Sequence, residues 1–274
     1  MSIAVIGEGE ASEIINEKNH GNRRLDRNRV ANYKGDMRDG DWKFNGDPIR
    51  FCEKGILIDG QHRLSAMIDS GVKELTFLVV EGIKAQGKKT IDIGKPRTPS
   101  DMLAIHHHVK TRDAAAISSA IKTIVLYNNR LSVTSRGGMS LLTIPKIEQF
   151  FISNRESLLL SMKFSNTSMI NHAGVLSRSE CLSLHFILSG INLIEAEIFL
   201  TPLMTGAGIV SNSNSYHLRN TLLKRAMKTL KISWTDVFYT CIKAWNKDSV
   251  GAVYTGEEGL RFRSSQCGAF PSAR

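Results

Sequence analysis

Asp59-Gly60-Gln61-His62-Arg63 sets an acid, a glycine, an amide, an imidazole and a guanidinium in five consecutive positions. The apolar run Ile56-Leu57-Ile58 before it reads as a short buried strand. Leu64, Met67 and Ile68 after it recur at helical spacing, and Gly71 stands where such a helix would end. The five polar residues therefore fall on a tight turn and the first turn of a helix. Free backbone N–H groups and the helix dipole make that place attractive to anions. Arg63 adds a forked, permanently charged donor and His62 a titratable one. Gly60 gives the turn its backbone freedom. This chemistry predicts a phosphate ligand. Asp59 repels a phosphate unless a metal or a pairing arginine stands between them, which makes it a candidate metal ligand or general base. The purely structural alternative is that Asp59 caps the helix and Arg63 pairs with it.

The elements around this turn can be read in order. Residues 8–18 form a short polar helix ending near Asn19. The stretch from Asn19 to Arg29 is rich in arginine and asparagine and has loop character. Its arginines can complete a phosphate site or simply be solvated. Val30, Tyr33 and Met37 mark a second helix that stops at Gly40. Ile49 to Cys52 is a strand, and Glu53-Lys54-Gly55 is its hairpin turn into the central strand. Leu75 to Val80 is a buried strand broken by Gly82. Thr90 to Arg97 is a further short strand leaving a polar turn. Thr98-Pro99-Ser100-Asp101 carries a cap, a proline at the first helical position and an acid at the third.

From there the pattern is helical. His106-His107-His108 does not read as a metal site, because consecutive helical residues point in different directions. Residues 112–128 are amphipathic. Ser177 to Glu180 and Asn192 to Glu195 each open a helix with a capping box. A helix over 216–231 shows Leu218 and Leu222 on one face, with Arg219, Lys224, Arg225 and Lys228 on the other. That basic face is the candidate nucleic-acid contact, and a solvated surface is its alternative. Ser233 caps the last helix. The tail around Leu260-Arg261-Phe262-Arg263 and Phe270-Pro271 either packs back onto the body or meets a backbone phosphate.

The 274 residues hold one large domain or two small ones. No apolar run approaches the roughly 20 residues of a spanning helix, so no membrane partner is expected. The N-terminus lacks a basic leader with an apolar core, so no signal peptide is expected. Cys52, Cys181, Cys241 and Cys267 form no Cys-x-x-Cys pair, which argues against structural zinc and for reduced thiols in a cytoplasm. The net charge is +10. Residues 1–105 carry 17 basic and 16 acidic side chains, and the remainder 19 against 10, so the excess lies in the second part. A basic half points to nucleic acid or another polyanion.

The N-terminal pattern resembles the ParB N-terminal/sulfiredoxin superfamily. The matching residues are Asn22-Arg23, Met37 with Gly40 and Trp42, Pro48-Ile49, Asp59-Gly60-Gln61-His62-Arg63 with Ala66, Val79-Val80, and Asp92 to Arg97 with Asp101-Met102-Leu103. It resembles a ParB-like group common in bacteriophages and mobile elements, whose members carry an attached helical region. The resemblance implies an α+β N-terminal domain over residues 1–105 with a small mixed sheet, followed by a mainly α-helical, basic region over 106–274. It implies a nucleoside triphosphate as ligand, held through Gly60, His62 and Arg63 with Gln61 beside them. Arg23 and Arg97 are candidates for closing the site, and Asp59, with Mg²⁺, is the candidate catalytic carboxylate. Gln61 occupies the position of the reactive sulfiredoxin cysteine, so sulfinic-acid reduction is not expected. The function implied is nucleotide or phosphate binding in association with DNA, in a bacterial host cytoplasm. The alternatives are a metal-dependent nuclease, NTPase or kinase on the same fold, and a non-catalytic protein-binding factor that acts against a host system. A protein partner or a homo-oligomer fits either form of binding protein.

Overall fold

The computed structural model describes residues 1–84, 87, 91, 97–134, 142–167, 175–248, 251, 256, 259, 261–264 and 270–274. The chain is α+β, and it divides into two compact units. The first comprises Met1–Arg97 with Met139–Pro145, and the second Thr98–Gly138 with Lys146–Arg274. The division falls at Arg97 rather than at residue 105, because the helix that begins at Pro99 packs with the helices after it.

The first unit is built on a mixed four-stranded sheet in the order β1-β4-β2-β3, with β1 (Ser2–Gly7), β2 (Pro48–Cys52), β3 (Leu57–Asp59) and β4 (Glu74–Ile83). β4 pairs antiparallel with β1 and parallel with β2, and β2 pairs antiparallel with β3. β1 was not anticipated. Its Ile3-Ala4-Val5-Ile6 run alternates between faces, with Ile6 buried and Ile3 and Val5 exposed on an edge strand. Gly82 does not end β4. It takes a φ of +75° inside the strand, where the register against β2 slips between Arg50 and Cys52 and a bulge results. The Thr90–Arg97 strand lies almost wholly outside the described residues.

Three helices complete this unit: α1 (Glu8–Glu13), which runs on into a π-helical turn at Ile14–Lys18, α2 (Arg27–Arg38) and α3 (Gln61–Ser70). Leu64 and Met67 of α3 join Ile49, Leu57 and Phe77 of the sheet in one buried cluster. α3 ends at Gly71 in the left-handed conformation, as its sequence predicts.

The second unit is helical among the described residues: α4 (Pro99–His107), α5 (Thr111–Asn128), α6 (Ile144–Ser153, from Lys146 onward), α7 (Arg155–Ser165), α8 (Arg178–Ser189), α9 (Leu193–Thr205), α10 (Asn214–Ala226) and α11 (Trp234–Asp248). Of the two expected capping boxes, Ser177–Glu180 closes, while Asn192 caps α9 only by accepting from the Glu195 N–H; the cap expected at Thr98 is a full box with Asp101. Leu184, Leu200, Leu218, Phe238 and Tyr239 are central to the core. The tail packs back onto this core: Phe262 is buried, Phe270 stacks on Tyr239, and Trp245 donates to the Arg274 carbonyl at 2.9 Å. No helix among the described residues is long and apolar enough to cross a membrane.

Candidate functional site

The turn from Asp59 into α3 is held from three sides, and each of its side chains has a different job. Gly60 is the N-cap of α3 at φ +108° and ψ −3°, a conformation that a side chain disfavours. Its α-carbon also abuts β2: a Cβ there would come within 2.5 Å of Ile49 Cδ1. The glycine is thus required by the packing of the turn against the neighbouring strand as well as by the backbone freedom that the sequence assigned to it.

Gln61 and His62, both buried, face the asparagine- and arginine-rich loop. Gln61 donates to the Arg23 carbonyl at 2.9 Å and accepts from Asn19 at 3.3 Å. Asn22 donates to the Leu57 carbonyl at 2.7 Å, which ties the loop to β3. His62 Nε2 accepts the Asp26 backbone N–H at 3.0 Å, and the Asp26 side chain caps α2 by accepting from Asn28 and Arg29. An imidazole that accepts at Nε2 is neutral and carries its proton on Nδ1. Burial, with the positive charges of Arg23 and Arg29, holds the His62 imidazole below its ordinary value of 6.5. His62 is therefore a fastener of the 19–26 loop, which it joins to the start of α3, rather than a cationic phosphate ligand. That shift also fixes a sign: the unfolded chain takes up a proton near pH 6.5 that the folded chain resists. Stability should fall as pH drops below about 6.5, and the His62→Gln variant should lose part of that slope. Urea midpoints measured from pH 7.5 to 5.5 on both proteins check it, and equal slopes would remove His62 as a source.

Arg63 turns the other way, toward the sheet. Its Nη2 donates to the Pro48 carbonyl at 2.8 Å and to Asp59 Oδ2 at 3.2 Å. Arg50, opposite Asp59 in the β2–β3 register, also donates to Asp59 Oδ2. Asp59 thus joins two arginines and leaves the three-residue cluster with one net positive charge. Asp59 does not cap α3, but the pairing with Arg63 is present. Arg63 Nη1 is buried and has no hydrogen-bond partner, although the residue is only 8% exposed. A magnesium ion takes several oxygen ligands, while Asp59 faces two cations. Among the described residues no group of three or more His, Cys, Asp or Glu side chains forms a metal cluster. The donor set at the turn does not fit the metal role expected of Asp59.

Of the two arginines expected to close the site, Arg23 is exposed on the fastened loop and electrostatically close to His62. Arg97 lies exposed just before Thr98, and nothing joins it to the turn among the described residues. Arg50 was missed, whereas Arg29, one of the loop arginines read as able to complete the site, is electrostatically close to His62 as Arg23 is. The signal for Arg50 was a lone charge inside an otherwise apolar strand, directly across the hairpin from Asp59.

The basic face of the second unit is partly internal. Arg225 grips Glu180 through two hydrogen bonds, at 2.6 and 3.2 Å, and lies over the Trp234 ring. Arg219 donates to the Leu203 carbonyl and is partly buried. Both are engaged in packing α10 and do not face outward as a nucleic-acid contact would require. Lys224 and Lys228 are exposed. α10 stops at Ala226 rather than 231, because Lys228 takes φ +59° and Thr229 and Leu230 donate back to the Lys224 carbonyl. His106 and His107 both reach one carboxylate oxygen of Glu148, at 3.3 and 2.9 Å, although neighbours on a helix were expected to diverge.

No family model, no curated protein and no solved structure matches the chain.

Proposed function

We propose that the first unit is a phosphate-binding domain of ParB-like kind, that its ligand is a nucleoside triphosphate, and that the protein acts on DNA in the cytoplasm of a bacterium hosting a phage or mobile element. The observation that carries this reading is Arg63 Nη1, a charged donor on the sheet side of the first turn of α3, in a residue nine-tenths buried and without a hydrogen-bond partner, which a phosphate oxygen reaches where the turn opens from the sheet. An unpaired buried cationic donor is costly, and a phosphate oxygen is the partner whose geometry and charge suit it. Asp59 and Arg50 orient the guanidinium, and the Arg23 and Arg29 charges add to the field. In this reading Asp59 positions Arg63, and no metal at Asp59 is needed for binding. The DNA contact rests on Lys224 and Lys228, the two members of the basic face left exposed.

Calorimetric titration with ATP, CTP, GTP and UTP, with and without Mg²⁺, tests the site. At least one triphosphate should bind, its nucleoside should bind far more weakly, and Arg23→Ala and Arg63→Lys should each weaken binding about 10- to 100-fold, the worth of a charged hydrogen bond. Absence of binding by a folded wild-type protein would overturn the reading.

A further inference from the structure

A second feature of the first unit is independent of the phosphate site. α1 with its π-helical turn, α2 and α3 enclose an open groove of about 810 Å³. Each contributes one stripe. From α2 come Arg27, Val30, Ala31 and Lys34, at the i, i+3, i+4, i+7 spacing of a single helical face. Ile15 from the π-helical turn and Ile68 from α3 complete an aliphatic floor. The rim is cationic: Arg24, Arg27 and Lys34 stand against one acid, Asp69. None of the three cations has an ion pair or side-chain hydrogen bond among the described residues. Within the same lining, Ser65 Oγ is buried and has no hydrogen-bond partner.

We infer that this groove docks an acidic, amphipathic helical segment of a partner protein. No lining residue is aromatic, so a nucleobase would find nothing to stack on, and a floor of isoleucine, valine and alanine suits aliphatic side chains instead. A phosphodiester backbone would use the cations but leave that floor uncovered. The cations also set the pattern of the ligand. Arg27 and Lys34 are seven residues apart, about 10 Å along the axis, and the apolar pair Val30 and Ala31 lies between them. Two turns of a helix that place acids at positions 1 and 8 and aliphatic residues at 4 and 5 mirror that arrangement. Such a ligand meets charge with charge at both ends and buries its apolar pair between them.

The probe is a fluorescent, end-capped peptide with Glu-Ala-Ala-Leu-Leu-Ala-Ala-Glu at its centre, followed by anisotropy on the full chain. It should bind saturably. A peptide with lysine for both glutamates, and one with alanine for both leucines, should each bind at least tenfold more weakly. On the protein, the double variant Arg27→Glu/Lys34→Glu should lose at least tenfold. Ala31→Gln, which keeps every charge but fills the floor, should also lose about tenfold, a loss that diffuse attraction between opposite charges would not produce. Arg63→Lys should leave peptide binding unchanged, which separates this groove from the phosphate site. Absence of saturable binding, or binding indifferent to Ala31→Gln, would overturn the proposal. So would capture of a single-stranded oligonucleotide or of ATP in place of the peptide, lost in the same double variant.

Discussion

Replacing Asp59 with alanine is expected to lower the free energy of unfolding by about 3 kcal/mol, the cost of removing one partner from a largely buried ion pair. The carboxylate is 14% exposed and joins the Arg63 side chain, 10% exposed, to that of Arg50, 28% exposed. Without it, two guanidinium groups share a site with no anion, and Arg63 already holds one donor without a partner. Arg50 keeps some contact with water, which places the expectation at the lower end for buried pairs. The double variant Asp59→Ala/Arg63→Met should recover part of the loss, because it removes a buried charge along with its counter-ion. Urea denaturation of the three proteins reads this directly. A loss below about 1 kcal/mol for Asp59→Ala would mean that the ion triad does not hold α3 to the hairpin. The result also governs how activity measurements are read. An Asp59 variant that loses turnover because α3 has come away from the sheet says nothing about a catalytic carboxylate, so Asp59→Asn must be tested for stability before it is tested for chemistry.

The strand, turn and helix around Gly60 were legible in the sequence because every local signal agreed there: an apolar run, a glycine, helical spacing and a glycine stop. The caps at Thr98 and Ser177 were legible for the same reason, as each motif carries its own hydrogen bonds. The direction in which each polar side chain points was not legible. Gln61, His62 and Arg63 are consecutive, so the helix itself sends them apart: two go to the 19–26 loop and one to the sheet. Which of them remains open to a ligand depends on partners 15 to 42 residues away, such as Pro48, Asn19 and Asp26. The same limit applies to the basic helix. The row of four cations over residues 219–228 looks uniform in sequence, but Glu180 lies 45 residues from Arg225 and turns it inward. The early end of α10 was hidden because its chain reversal uses Lys228 in a left-handed conformation, where a glycine would have announced it.

Gly60→Ala should destabilise the first unit by about 3 kcal/mol, through two causes that add. A side chain at φ +108° is strained whatever surrounds it, at a cost on the order of 1 kcal/mol. The new methyl would then lie 2.5 Å from Ile49 Cδ1 and 3.4 Å from Ile49 Cα and Cγ2. Ile49 is fully buried in β2, where it pairs with Val79 of β4 and is followed by Arg50, which pairs with Asp59 of β3, so it cannot simply withdraw, and overpacking of this kind costs about 1–3 kcal/mol. The double variant Gly60→Ala/Ile49→Ala separates the causes. Room is made for the methyl, so the overpacking should vanish and only the backbone strain, added to the cavity cost of Ile49→Ala alone, should remain. If instead the two substitutions destabilise additively, Ile49 does not set the size limit at Gly60. The glycine would then be required by conformation alone, and the tight seat of the turn on β2 would no longer explain how Arg63 is brought to Pro48 and Asp59.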